Sequence, residues 1–282
     1  MRIPFIGADA VAAGELTPFE LRRWYRPIYR GVHVPVQHPL SLRDRLAGLM
    51  LAAPGAVVAG VVASALHGAD WIAPDVPIEV VTGGRRQAGL IVRDESLHPD
   101  EITTVAGIRV TTVARTAFDL ARPLPRDQAV ARLDALRRVR RFSPDEVLLL
   151  AERHRGARGL RRVRTALPLV DGGAESPRET WLRLLFIDAG LPAPTTQFVV
   201  YDEDGHYVRR IDMCWEKYKV GAEYDGQQHL TSRSAYANAN DVKVARVLHR
   251  LQWHIVHVIK EDRPADVLAE TCSALISHGW QP

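Results

Sequence analysis

The sequence predicts a protein of the α/β (α+β) class with two domains. The chain has 282 residues, of which 46% are hydrophobic and 25% charged, a composition typical of globular chains that bury a core. One helix-start pattern recurs along the chain, and β-branched stretches alternate with helical patterns in both halves. At about 150 residues per domain, this length corresponds to two domains.

The predicted helices start from a recurring tetrapeptide, Ser/Thr-Pro-x-Glu, at Thr17, Ser143 and Ser176. In each copy the hydroxyl can cap the helix, proline takes the first helical position, and the glutamate can bind back to the free amide groups. We therefore expect helices from about residues 18, 144 and 177. Amphipathic patterns predict further helices over about 41–53, 59–67, 112–121, 126–140, 157–168, 234–251 and 264–277.

The predicted strands are short β-branched stretches bounded by turn residues. They cover about residues 31–35, 77–82, 90–93, 108–111, 197–201, 208–215, 220–224 and 253–259. The turn from Asp202 to Gly205 joins two of them as a hairpin. The second half thus alternates helix, three strands, helix, strand and helix, which predicts a small unit with a mixed sheet.

Charge divides the chain near the small, turn-forming segment 171–174. Residues 1–170 carry 25 arginines and no lysine against 17 acidic residues, whereas residues 171–282 carry 12 basic and 16 acidic residues. We expect one domain over 1–170, whose arginines suit a polyanion, and a second over 171–282, whose carboxylates suit a cation. A general preference for arginine over lysine accounts for the first imbalance about as well. The Arg-rich stretch 132–164 is consistent with either a DNA-docking face or a solvated helical surface.

Several classes of protein are disfavoured. Cys214 and Cys272 are the only cysteines, which excludes a disulfide framework and a cysteine-based zinc cluster. The first residues lack the basic start and apolar core of an export signal, so we expect a cytoplasmic protein. The uncharged run from Leu46 to His67 contains Pro54-Gly55 and is interpreted as two packed helices rather than a membrane span. Motifs for a serine hydrolase elbow, a P-loop and a dinucleotide site are absent from the sequence.

Three carboxylates are candidates for a metal site. Asp212 lies on the second strand of the predicted hairpin, and Glu223 and Asp225 lie on the next strand. Alternation along a strand places Glu223 and Asp225 on one face, and Asp212 joins them if it faces the same side. Such a cluster repels itself unless a cation such as Mg²⁺ lies inside it. A water bound to that metal is a candidate nucleophile for a phosphodiester.

Two further residues complete this candidate site. His229 follows the strand after a glycine turn and could move protons near neutral pH. Glu179, one turn from Glu175 on the opening helix, could add an outer carboxylate. The alternative is structural, because acidic residues at strand ends are often solvated and a lone histidine is more often a surface residue than a catalyst.

The second half resembles a known nuclease family. The resemblance covers about residues 175–262 and rests on Glu179, Gln197, Arg210-Ile211-Asp212, Glu223-Tyr224-Asp225-Gly226-Gln227-Gln228-His229, Asp241, Arg246 and Trp253. The family is a domain-of-unknown-function family similar to the very-short-patch-repair endonucleases of the PD-(D/E)XK superfamily. The resemblance implies a restriction-endonuclease-like mixed-sheet domain that cuts DNA with Mg²⁺ or Mn²⁺.

The same resemblance implies a role for each carboxylate. Asp212 matches the metal-binding aspartate of the superfamily, and Glu223 matches its second carboxylate. Asp225 stands where the superfamily has its catalytic lysine, and would complete or orient the metal site. Either His229 or Lys243 replaces that cation, or catalysis has been lost.

The first half resembles AbiEi-type antitoxins and transcriptional regulators of bacteria. This resemblance spans about residues 1–165 and rests on Tyr29–Val34, Ala63–Gly68 and Gly107–Leu120. It implies a winged-helix-like, DNA-binding start followed by an α/β body.

Together these features predict a metal-dependent DNA endonuclease with a regulator-like DNA-binding module. The alternative is a non-enzymatic DNA-binding regulator or antitoxin-like protein in which the nuclease fold is degenerate. A toxin-like RNase is a third possibility, because metal-assisted hydrolysis serves both nucleic acids. DNA is the expected partner, a membrane is not expected, and RNA and a homodimer are left open.

Overall fold

The computed structural model of the protein describes residues 3–81, 87–225 and 235–282. Helices and strands are mixed throughout these residues, which confirms the α+β class. The chain forms two compact units. The first unit contains Met1–Leu124 and Val139–Arg164, and the second contains Pro125–Arg138 and Thr165–Pro282. The division of function between residues 1–170 and 171–282 stays a prediction.

The first unit opens with two short helices and a small antiparallel sheet. Its elements are β1 (Phe5–Ile6), α1 (Gly7–Ala12), α2 (Pro18–Trp24), β2 (Tyr25–Tyr29), β3 (Val32–Pro35) and α3 (Leu42–Ala52). The three strands are antiparallel in the order β1-β3-β2. Helix α3 contributes Leu46 and Leu49 to the same buried cluster as Tyr29 and Val32 of the hairpin. Two helices joined by a short turn therefore lead into a β-hairpin backed by a third helix.

The remainder of the first unit is a five-stranded mixed sheet with helices. Its order is β6-β5-β4-β8-β7. The elements are β4 (Val57–Ala59), α4 (Gly60–Leu66), β5 (Ile78–Val81), β6 (Leu90–Arg93), β7 (Ile102–Val105), β8 (Ile108–Thr111), α5 (Val113–Ala121), α7 (Pro144–Arg153) and α8 (Leu160–Ala166). The chain between α5 and α7 forms α6 (Arg126–Val139), most of which belongs to the second unit. Val58, Val62, Ile78 and Val110 are fully buried between sheet and helices.

The second unit is a four-stranded mixed sheet with helices. Its order is β12-β11-β10-β9, with β11 and β12 parallel and the other neighbours antiparallel. After α6 the elements are α9 (Pro177–Asp188), β9 (Thr195–Tyr201), β10 (Tyr207–Trp215), β11 (Val220–Tyr224), α10 (Ala235–Arg250), β12 (His254–Val258) and α11 (Pro264–Ser277). One buried cluster joins α9 and α11 to the sheet through Phe186, Met213 and Leu275. A second joins α10 to the sheet through Ile211 and Leu248.

The predicted helix starts are confirmed at Pro18, Pro144 and Pro177. Reciprocal capping is present at Thr17 and Ser143. At Ser176 the hydroxyl caps the helix, but the Glu179 carboxylate accepts its hydrogen bond from the Glu175 amide instead. Glu175 lies before the helix rather than on it, which corrects the expected one-turn pairing.

The first half contains elements that the sequence did not predict. The run from Leu46 to His67 forms the two expected helices, α3 and α4, but the strand β4 lies between them. Four short elements were also missing from the prediction, namely β1, β2, β7 and α1. None of the described helices is long and apolar enough to cross a membrane.

Candidate functional site

A cleft in the second unit is lined by two of the predicted carboxylates, Glu223 of β11 and Asp225 directly after it. It has a volume of about 540 Å³ and lies beside α10. We call it the carboxylate cleft and define it by Arg209, Glu223, Asp225, Asp241 and His257, all of which line it. Its floor is positioned by strand pairing, because Glu223 of β11 is in register with His257 of the parallel strand β12. Residues in register on neighbouring strands face the same side of a sheet.

Glu223, Asp225 and His257 form the tightest group in the cleft. Each offers a ligand atom, and the three atoms lie within 4.8 Å of one another. The His257 Nδ1 is 2.9 Å from Asp225 Oδ2 and 3.9 Å from Glu223 Oε2. The hydrogen bond to Asp225 and the negative charge of Glu223 raise the pKa of His257. The predicted convergence of Glu223 and Asp225 on one face is therefore observed, with an imidazole as the third member.

Arg209 is the cation that contacts Glu223. Its guanidinium binds both carboxylate oxygens, and the Nε to Oε1 distance is 2.6 Å. The side chain of Glu223 is only 5% exposed, and a buried carboxylate is costly unless it is paired. Asp225 and Asp241 also attract this guanidinium and help to raise the pKa of Arg209. The cleft thus brings its own cation from β10, whereas Lys243 is not among the residues that line it.

Asp212 lies at the edge of the group rather than inside it. Its Oδ2 accepts a hydrogen bond of 3.0 Å from the Tyr224 amide. Burial, together with the negative charges of Glu179 and Glu223, raises the pKa of Asp212 to about 7. A carboxyl whose pKa is raised by neighbouring carboxylates marks the kind of cluster that a cation would relieve.

Glu179 of α9 lies near enough to Asp212 for its negative charge to raise the pKa of that carboxyl. Its Oε2 accepts hydrogen bonds from Gln197 Nε2 at 3.1 Å and from the Glu175 amide at 2.8 Å. Burial raises the pKa of Glu179. Gln197 has a positive φ of 53°, and its Oε1 is buried without a hydrogen-bond partner in the described part of the chain. Glu179 thus contacts Gln197, and its charge acts on Asp212.

Sequence reasoning missed Arg209 and His257. His257 could not be predicted as a site residue, because its place beside Glu223 depends on the register of two strands that are far apart in sequence. Arg209 lies next to the Arg210-Ile211-Asp212 motif, and only its proximity to that motif could have singled it out. The predicted proton carrier His229 lies outside the described residues, so its role stays a prediction.

A second candidate surface lies on helix α2 of the first unit. None of the side chains of α2 is buried. Phe19 is 68% exposed and Trp24 is 60% exposed. Arg22 and Arg23 occupy the last turn of the helix, and the Arg23 guanidinium lies 5.4 Å from the centre of the Trp24 ring. We call these four residues the α2 surface.

Comparison with known proteins identifies relatives along most of the chain. The uncharacterized proteins MT2308 and Rv2248 of Mycobacterium tuberculosis, from strains CDC 1551 / Oshkosh and ATCC 25618 / H37Rv, are each 32% identical to it over 253 residues. The match covers 86% of this chain and 86% of each relative. The chain belongs to their family. Residues 46–169 match the AbiEi antitoxin C-terminal domain family, which confirms the antitoxin-like part of the predicted resemblance.

This AbiEi region, residues 46–169, contains a buried charge network. Arg115 is fully buried and binds Glu95, Glu101 and Asp119. Arg115 Nε lies 3.1 Å from Asp119 Oδ1, one turn further along α5. Buried ions are tolerated when each finds partners of opposite charge. The network is therefore a structural part of the AbiEi region.

The AbiEi region also contributes helix α6 to the second unit. Asp134 of α6 accepts hydrogen bonds of 2.8 Å from Thr180 and Arg183 of α9 and of 2.7 Å from the Asp171 amide. Burial raises the pKa of Asp134 to about 6. The helix that carries Glu179 is thus anchored by a residue of the AbiEi region. The resemblance of residues 175–262 to the nuclease family stays a prediction.

Proposed function

We propose that the protein is a DNA-binding regulator of the antitoxin-like kind, which contacts DNA through the α2 surface. The observation that carries this proposal is a helix without a fully buried side chain, in a chain whose residues 46–169 match an antitoxin family. A helix in a globular domain ordinarily buries one face. A short helix that exposes arginines and aromatic rings is suited to a partner instead.

The surroundings of α2 support DNA as that partner. Helices α1 and α2 are joined by a short turn, and α2 leads directly into the hairpin β2–β3. Helix-turn-helix proteins place the second of two such helices in the major groove. The hairpin ends at Arg30 and Gly31, so a further exposed arginine lies at its tip. This arrangement supports the winged-helix-like start that the resemblance to AbiEi-type regulators implies.

The charge of the first part supports the same proposal. Residues 1–170 carry a net charge of +8 from 25 arginines and 17 acidic residues. Arginines that neutralise phosphates supply affinity for any DNA sequence, and contacts to base edges supply specificity. We assign Arg22 and Arg23 to DNA contact, and Phe19 and Trp24 to apolar contact beside them.

Binding to selected DNA tests the proposal. A random duplex library is enriched on the wild-type protein, and the affinity of a recovered duplex is measured by fluorescence anisotropy. We expect the double variant Arg22→Gln/Arg23→Gln to bind about tenfold more weakly or worse, because two cationic contacts are lost. Arg43→Gln on α3 is the matched control and is expected to bind like the wild type. Unchanged affinity in the double variant would refute the assignment of α2.

A metal-dependent nuclease is the second candidate function. It is favoured by the group of Glu223, Asp225 and His257, whose ligand atoms lie within 4.8 Å of one another. Oxygen and imidazole ligands suit Mn²⁺, and carboxylates suit Mg²⁺. The negative charges of Glu179 and Glu223 contribute, after burial, to the raised pKa of Asp212, and a cation beside these carboxylates would relieve that repulsion. The residues present therefore fit a divalent cation.

In this second candidate, Glu223, Asp225 and His257 would hold the cation and Asp212 would join them. A divalent cation supplies charge neutralisation at a phosphodiester and lowers the pKa of water. The protein's own part is to hold Glu223 in place through Arg209. Glu179 would hold Gln197 at the outer edge.

Nicking of supercoiled plasmid tests the nuclease. Wild-type protein is incubated with Mg²⁺ or Mn²⁺, with an EDTA control, beside Asp212→Asn and the surface control Asp204→Asn. Metal-dependent nicking that is lost only in Asp212→Asn would establish the activity. If the plasmid stays intact while the protein still binds duplex DNA, the nuclease is rejected and the DNA-binding regulator is retained. Parallel digestion of a single-stranded RNA separates a DNase from an RNase.

A further inference from the structure

A cavity in the first unit lies apart from both surfaces described above. It has a volume of about 900 Å³, within the range of small-molecule sites. Its charged lining consists of five arginines and two glutamates among the described residues, namely Arg93, Arg122, Arg158, Arg161, Arg162, Glu79 and Glu95. We call it the arginine cavity.

The inner arginines are held rigidly by the two glutamates and by Asp119. Arg93 binds Glu79 and lies 2.9 Å from Asp119. Arg122 donates to both oxygens of Glu95 at 2.8 and 2.9 Å. The acids that line the cavity are therefore already neutralised by its inner arginines. Within the described residues these acids pair with Arg93 and Arg122 rather than with the exposed Arg158 and Arg161.

Arg122 retains unused donor capacity. It is 8% exposed, and its Nε is buried without a hydrogen-bond partner within the described ranges. Its guanidinium lies 4.6 Å from the centre of the Phe118 ring, which fixes its plane. The ion pairs with Glu95 and Asp119 and the contact with Phe118 fix Arg122 as part of the cavity wall, so the exposed arginines at the rim are the groups that can reach a ligand.

The rim is a basic, glycine-containing loop held close to α5. Arg158, Arg161 and Arg162 are exposed. Gly159 has a φ of +87°, and a Cβ at this position would lie 2.3 Å from the Arg122 carbonyl oxygen. Only glycine permits this approach. The three rim arginines are thereby held at the mouth of the cavity above Arg122.

We propose that the arginine cavity binds a phosphate-bearing small molecule of the nucleotide class. Arginines recognise phosphate through paired, charge-assisted hydrogen bonds. Ile91, Leu124 and Leu160 also line the cavity and give the apolar surface that a base requires. The proposal is independent of DNA binding through α2 and of the carboxylate cleft, since it uses none of their residues.

Calorimetric titration of the full chain with ATP and, separately, with pyrophosphate tests this proposal. We expect saturable binding of ATP at one site per chain. The variant Arg158→Gln/Arg161→Gln removes two rim charges from exposed positions and is expected to weaken binding by about tenfold or more. Arg43→Gln removes an exposed arginine elsewhere in the same unit and is expected to leave binding unchanged. Circular dichroism checks that both variants fold.

A second titration, with a short duplex DNA, separates the two sources of phosphate. If the rim serves a small molecule, the double variant keeps wild-type affinity for the duplex. Absence of saturable ATP binding to the wild type would overturn the proposal. So would loss of duplex affinity in the double variant with ATP affinity unchanged, because the rim arginines would then contact the DNA backbone.

Discussion

The Arg209 guanidinium binds both carboxylate oxygens of Glu223, and this pair lies at the centre of the carboxylate cleft. Glu223 is almost completely buried, whereas Arg209 is partly exposed. Removal of one partner from a buried pair leaves the other charge unpaired. The contact therefore makes Glu223 dependent on a cation, either from Arg209 or from a bound metal.

We predict that Arg209→Gln lowers the free energy of unfolding by about 3 kcal/mol at neutral pH, because Glu223 loses its partner. Added Mn²⁺ should restore part of that loss, since a metal would replace the guanidinium. Arg210→Gln is the matched control, because Arg210 pairs with Glu175 at the surface. Its cost should be about 0.5 kcal/mol or less. Denaturant unfolding with and without Mn²⁺ measures both, and equal losses would contradict the account of Arg209.

Asp212→Asn should stabilise the metal-free protein at neutral pH. The pKa of this carboxyl is raised to about 7 by burial and by the charges of Glu179 and Glu223, so its ionised form is unfavourable in the folded state. The asparagine oxygen can still accept from the Tyr224 amide. We expect a melting temperature a few degrees above the wild type. With saturating Mn²⁺ the wild type should have the higher melting temperature. A variant that melts below the wild type both with and without Mn²⁺ would contradict the account of Asp212 as one of several clustered carboxylates.

Arg183→Gln should lower the free energy of unfolding by more at high pH than at low pH. Asp134 has a pKa of about 6 in the folded protein against an ordinary 3.8. Between about pH 4 and 6 the Asp134 carboxyl keeps its proton in the folded state but releases it in the unfolded chain. The contribution of Asp134 to the free energy of unfolding therefore falls as the pH rises through this range. Without Arg183 the ionised carboxylate is unpaired, so the loss should be about 3 kcal/mol at high pH and smaller near pH 5.

The exposed pair of Arg126 and Asp188 provides the control for this pH dependence. It also joins α6 to the end of α9, but both side chains are partly solvated. Arg126→Gln should change stability by about 0.5 kcal/mol or less at either pH. Urea unfolding at the two pH values measures each variant. A loss in Arg183→Gln that is the same at both would show that Asp134 does not titrate in this range.

Gly159→Ala should destabilise the first unit. The new Cβ would meet the Arg122 carbonyl oxygen, and the backbone is in the left-handed region. Gly107 has a φ of +79° with open space around it, so Gly107→Ala isolates the cost of backbone strain at about 1 kcal/mol. We expect the loss at Gly159 to exceed that at Gly107. Thermal unfolding compares the two, and equal losses would mean that the loop does not approach α5 this closely.

Local signals in the sequence predicted elements well and long-range contacts poorly. The proline-based helix starts were correct because capping is decided within four residues. Strands β1 and β4 were missed because two or three residues are too short to show alternation. The shared face of Glu223 and Asp225 followed from strand periodicity, but His257 depends on a parallel register and Arg209 on a contact between neighbouring strands. Such contacts are set by tertiary packing rather than by sequence pattern.

The salt dependence of DNA binding tests the central claim most directly. Each phosphate contact contributes about 0.9 to the slope of log affinity against log salt concentration. If Arg22 and Arg23 both contact phosphates, Arg22→Gln/Arg23→Gln should bind DNA with a slope that is smaller in magnitude by about 1.8, whereas Arg43→Gln keeps the wild-type slope. Parallel lines for the wild type and the double variant would show that DNA does not bind at the α2 surface.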